Sequence, residues 1–173
     1  MDIRFHEINL LLFSHQHADH FNKEKVFEYI KYNHIEKLAI CDLYDEELNN
    51  RGILKELKTD FNETGTIDTD DKYFKTKHLK LEQFGINHYS FIINIKDINI
   101  LYMGDADFSN EKMFDLLKNY KINVIIAPFL IAANKAGKGF INKINPYLLI
   151  INHLPNKKDD KYNYRTLTEK AIA

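Results

Sequence analysis

Between Ser14 and His20 the chain reads Ser-His-Gln-His-Ala-Asp-His, with three histidines and one aspartate within six positions. Neutral imidazole nitrogen and carboxylate oxygen are the donors that borderline divalent metals such as zinc prefer. The run follows Ile8-Asn9-Leu10-Leu11-Leu12-Phe13, an apolar segment of strand length. Loops at strand ends are where a rigid scaffold commonly presents chemistry. In an extended chain alternate residues project to the same side, which groups His15 with His17. Asp19 and His20 lie just beyond, in position to serve a second, adjacent metal.

Three further donors stand at the ends of strand-like segments downstream. His78 ends Lys72-Tyr73-Phe74-Lys75-Thr76-Lys77, and Asp105 follows Ile98-Asn99-Ile100-Leu101-Tyr102-Met103 in the phrase Gly104-Asp105-Ala106-Asp107. His153 follows Tyr147-Leu148-Leu149-Ile150-Ile151-Asn152 and precedes Leu154-Pro155. Taken singly, a histidine at a strand end is an ordinary polar residue, and an aspartate after glycine suits a turn. Their joint occurrence with the first run carries the weight.

This order of motifs resembles the signature of the metallo-β-lactamase superfamily, over most of the chain from Ile8 to about Pro155. The resemblance implies that His15, His17 and His78 hold one metal, that Asp19, His20 and His153 hold a second, and that Asp105 bridges them. His88, in Gly85-Ile86-Asn87-His88-Tyr89-Ser90, is the alternative third ligand; His78 is preferred because the family places that histidine before the glycine-led strand. An anionic bridge offsets the repulsion of two dications, and two metals roughly 3.5–4 Å apart can share a hydroxide and hold it for attack. The resemblance therefore implies a hydrolase with two zinc ions per chain, manganese or ferrous iron being substitutes, acting on an ester, lactone, amide or phosphodiester. Asp19 would orient the nucleophile or move its proton. Oxygen-reducing iron relatives carry glutamate where His17 stands, which counts against their chemistry. A metal-binding or interaction domain with degenerate catalysis is the alternative of a different class, and a nuclease of the same superfamily is a third.

The elements that must position these donors alternate between strand and helix. Strands are expected at Ile8–Ser14, Lys37–Cys41, Thr66–Asp68, Tyr73–His78, His88–Ile95, Ile98–Met103, Asn123–Ala127 and Tyr147–Asn152. Lys96-Asp97 marks a tight turn. Helices are expected at Lys23–Tyr32 behind an Asn22 cap, at Asp45–Leu57 with a weak point at Gly52, at Asn110–Asn119 behind Ser109, and at Tyr164–Ile172. Pro128 to Phe140 reads as a surface loop beside the site, where Lys135 or Lys138 offers a cation for an anionic substrate. Asp107 is either support for the bridge or part of the helix cap. The fold class implied is α+β, a four-layer αβ/βα sandwich in one domain spanning residues 1–173. Its first half is abbreviated, because only 14 residues precede His15 where the family carries several strands. A missing layer would leave sheet edge and apolar surface uncovered, so a homo-oligomer is expected.

Composition narrows the class further. A chain of 173 residues is large enough to bury about 70% of the surface it exposes when unfolded. The net charge of −1 provides no basic field to draw nucleic acid or anionic lipid, so a small-molecule substrate is expected and nucleic acid is not. Cys41 is the single cysteine, which excludes an intrachain disulfide, and it reads as a packing residue. His6 and His34 match no motif and read as surface residues. Asp68 to Asp71 reads as a solvated acidic turn. No segment reaches the ~20 apolar residues of a membrane helix and no signal-peptide pattern opens the chain, so the cytoplasm is the expected location.

Overall fold

The structure is a computed structural model that describes residues 10–33, 35, 37–40, 46–52, 64–67, 74–83, 86–109 and 111–172. It opens with strand β1 (Leu10–Phe13), helix α1 (Lys23–Tyr32) and strand β2 (Lys37–Ile40). The two strands pair in parallel, Leu10 opposite Lys37 and Phe13 opposite Ile40, as a helical crossover between them requires. The Asn22 side chain caps α1 by accepting from the Lys25 N–H at 3.0 Å. Val26 and Ile30, four residues apart on one helical face, are buried with Leu38 and Ile40. Ala39 points the other way and packs with Tyr89 and Phe91. This small sheet therefore has a helix on one face and the rest of the molecule on the other.

Helix α2 (Glu46–Asn50) leads toward a sheet of six strands. Gly52, at φ 68°, ends the expected helix early, and the remainder of that expected span lies outside the described residues. The sheet is built in sequence order from β3 (Thr64–Ile67), β4 (Phe74–Gln83), β5 (Ile86–Ile95), β6 (Ile98–Tyr102), β7 (Val124–Pro128) and β8 (Leu148–Asn152). The pairs from β3 to β6 are antiparallel, and β6–β7 and β7–β8 are parallel. Strands β5 and β6 meet at the expected Lys96-Asp97 turn, with Lys96 at φ 54°.

Helix α3 (Glu111–Leu117) supplies the crossover from β6 to β7. Helices α4 (Leu130–Ala133) and α5 (Lys135–Ile144) fill the connection to β8, and α6 (Tyr164–Ile172) follows it. Met113, Leu117, Ile131 and Phe140 from these helices bury Ile92, Leu101, Ile125 and Ala127 of the sheet. The opposite face of β5 carries Tyr89 and Phe91, which meet the small sheet. The result is the expected four-layer αβ/βα sandwich, with two strands in its first sheet and six in its second among the described residues. Leu148 and Ile150 on β8 are 52% and 42% exposed, so apolar surface is left uncovered at that end of the large sheet.

The segment from Pro128 to Phe140 differs from expectation. It is the end of β7 followed by two helices, not a loop. Gly137 explains why glycine stands inside α5: a Cβ there would collide with the Ile131 carbonyl of α4. Among the described residues no helix is long and apolar enough to cross a membrane. Cys41, His6, His34 and the Asp68–Asp71 turn lie outside the described residues.

Candidate metal centre

The histidine run leaves β1 and enters the seam between the two sheets. Its first residue fixes its place there. The Ser14 carbonyl accepts the Tyr89 N–H of β5 at 2.8 Å, which brings His15 beside His88. Their ring centroids are 4.1 Å apart. The chain then turns back on itself, with the N–H groups of His20 and Phe21 both donating to the His17 carbonyl at 2.9 and 2.8 Å. This turn gathers the four donors, with His15 and His20 inward and His17 and Asp19 on the solvent side.

The large sheet supplies the other donors from its strand ends. Asp105 follows β6, and its backbone is reached through Gly104 at φ 56°. A Cβ on Gly104 would stand 2.5 Å from the Ser14 Cβ, so only glycine admits this approach. His153 follows β8 at φ 57°, a left-handed conformation uncommon outside glycine, though less so for histidine than for most residues. Backbone strain of this sort is kept where the surroundings demand it, and it is concentrated at functional sites.

Three sets of donor atoms each lie within 4.8 Å of one another: His15, His17 and His88; His15, His20 and Asp105; Asp19, His20 and His153. Asp105 sits between the outer two sets. Its Oδ2 is 3.1 Å from His20 Nε2 and 3.7 Å from His15 Nε2, and its Oδ1 is 3.6 Å from His153 Nδ1. Asp19 Oδ2 is 3.8 Å from His20 Nε2 on the solvent side. Six of the seven residues expected from the sequence are thus brought together. The seventh, His78 on β4, pairs with Phe91 of β5, three positions along from the Leu81–His88 pair, and its side chain lies outside the described residues. Three positions along a strand are about 10 Å. His88, the alternative third ligand of the sequence reading, is the residue that the described geometry groups with His15 and His17.

The electrostatics suit a cation. Burial pushes His15 down to about 4, helped by the neighbouring His88 and His20, so it is a neutral donor at pH 7. Burial alone would raise Asp105, but the His20 hydrogen bond and the surrounding histidines outweigh it and hold the carboxyl below its usual range. A carboxylate beside a cluster of imidazoles, one of them kept neutral by burial, is donor chemistry that zinc-type ions accept. Asp107 is engaged elsewhere: its Oδ1 accepts from the Ser109 N–H at 2.8 Å and the Ser109 hydroxyl at 2.6 Å, which holds the turn after Asp105.

A cavity of about 670 Å³ opens beside Asp105 and His153. Phe108, Phe129 and Leu130 give it apolar walls, and Lys135 stands at its rim with Asn134.

No family model matches the chain, and no curated protein matches it. Among solved structures it is similar to the metallo-β-lactamase fold protein YhfI from Bacillus subtilis, with a TM-score of 0.60 and 14% identity. The match covers 95% of this chain and 71% of that one. At that identity the likeness speaks for architecture alone, and it agrees with the four layers: this chain has the metallo-β-lactamase fold.

Proposed function

We propose that the protein is a metal-dependent hydrolase of small molecules with a dinuclear centre, most naturally of zinc. In this reading His15, His17 and His88 hold one ion, Asp19, His20 and His153 hold the other, and Asp105 lies between them. The observation that carries the reading is the position of Asp105, with one oxygen toward His15 and His20 and the other toward His153. When bound, such a pair of ions supplies an acidified water and polarises the scissile oxygen.

The chain's own residues would do the rest. Asp105 keeps its negative charge and offsets the positive charge on either side. Asp19, with a side chain 67% exposed, stands where it can take a proton from the attacking water and pass it to solvent. Phe108, Phe129 and Leu130 bind an apolar body, and Lys135 receives an anionic group on the substrate.

Turnover of aryl esters, with and without a carboxylate, and of an aryl phosphodiester tests the proposal. Hydrolysis that is lost with chelator and restored by zinc is expected. Zinc-loaded protein that turns over none of these, yet retains its metal, would leave a binding domain as the better reading.

A further inference from the structure

We infer that Ser14 is a positioning residue whose single hydroxyl holds the rear nitrogens of His15 and His20, and so sets which ring nitrogen each presents to a metal. The inference rests on the metal reading above. His15 belongs to one outer donor set and His20 to the other, so one serine would govern a ligand in each.

A neutral imidazole carries one N–H and one bare nitrogen, and only the bare nitrogen can ligate. In both rings Nε2 faces the centre. His15 Nε2 is 2.9 Å from His17 Nδ1, and His20 Nε2 is 3.1 Å from Asp105 Oδ2. A ligating ring must therefore carry its proton on Nδ1. Both Nδ1 atoms lie on the same oxygen, at 2.9 Å for His15 and 3.2 Å for His20. A hydroxyl oxygen has two lone pairs and one hydrogen. With both lone pairs engaged by the two ring N–H groups, the hydroxyl's own hydrogen points away from them.

Ser14 has no room to move away from this duty. It is fully buried, its carbonyl is bound by the Tyr89 N–H, and its Cβ is pressed against Gly104 beside the bridging aspartate. The residue thus touches every segment that brings a donor to His15: its own run, the Gly104-Asp105 turn and the head of β5.

Zinc affinity by competition with a chromophoric chelator, together with ring-nitrogen NMR of the full chain, tests this. Ser90→Ala is the matched control, because Ser90 is equally buried and its hydroxyl donates to the Met103 carbonyl at 3.0 Å. Ser14→Ala should weaken zinc at both sites by about ten- to a hundredfold, the usual cost of losing a group that orients a ligand. Ser90→Ala should stay within about threefold of the unchanged chain by the same measure. In zinc-loaded unchanged protein both His15 and His20 should show a protonated Nδ1. Unaltered affinity in Ser14→Ala, an equal loss in Ser90→Ala, or a protonated Nε2 on either ring would overturn the inference. The ring spectra of the unchanged chain decide the matter even where Ser14→Ala fails to fold. Failure of the unchanged chain to bind zinc would instead overturn the metal reading itself.

Discussion

The rings of His15 and His88 stack obliquely across the seam between the sheets, 4.1 Å apart at 47°. His15 comes from the loop after β1 and His88 from the head of β5, so their contact joins the two halves of the centre. His88→Ala should cost one of two bound zinc ions, or weaken that ion at least a hundredfold. His78→Ala should leave zinc content unchanged. Elemental analysis of both variants after zinc exchange checks the pair, and the reverse pattern would restore His78 as the ligand.

Most of the layer order was legible in the sequence, since β5 to β8, α1 and α6 follow from apolar periodicity and turn residues. The choice between His78 and His88 was not. Both end or begin strand-like segments, and the difference lies in the register of β4 against β5, which sets Leu81 rather than His78 opposite His88. Helix α5 was hidden for another reason. Its sequence, Lys-Ala-Gly-Lys-Gly-Phe, has poor intrinsic helix propensity. The helix is stabilised by Asn134, which accepts the Gly137 N–H at 2.7 Å, and by burial of Phe140. Tertiary packing overrode local preference there.

Asp105→Ala should lower metal content more than His88→Ala does. Asp105 faces donors of both outer sets, whereas His88 belongs to one. Calorimetric titration with zinc should show both binding events weakened in Asp105→Ala and one in His88→Ala.

Gly104→Ala should destabilise the fold by about 2–4 kcal/mol, adding the cost of a left-handed non-glycine residue to that of overpacking. The new methyl would fall within 2.5 Å of the Ser14 Cβ. Urea unfolding of the metal-free protein measures this, and a change under about 1 kcal/mol would mean that Ser14 can yield.

Acid should destabilise the metal-free protein between about pH 6.5 and 4. His15 is pushed down from 6.5 to about 4 in the folded chain, so the unfolded chain binds the extra proton throughout that window. Stability therefore rises with pH across it and is lost as pH falls. The whole effect is on the order of 3 kcal/mol. Asp105, held below its ordinary value, adds a further loss only below about pH 4. Melting temperatures across this range should fall with acid, and His15→Gln should flatten the dependence above pH 4.

Self-association is expected through β8, an edge strand among the described residues that carries the exposed Leu148 and Ile150. Light scattering should give a dimer mass or larger, and Ile150→Lys should shift it toward monomer. A monomer mass over a wide concentration range would show that this edge needs no cover.

The donors are divided between the sheets in a way that reaches beyond chemistry. His15, His17, Asp19 and His20 hang from the two-stranded sheet, and His88, Asp105 and His153 from the six-stranded one. Any ion gripped by both sets acts as a clasp between the halves of the sandwich, so its binding free energy becomes cohesion between layers. It would add to the contact the sheets already make through Ala39, Tyr89 and Phe91. Zinc loading would then raise the temperature at which the two sheets part, and a chelator would lower it.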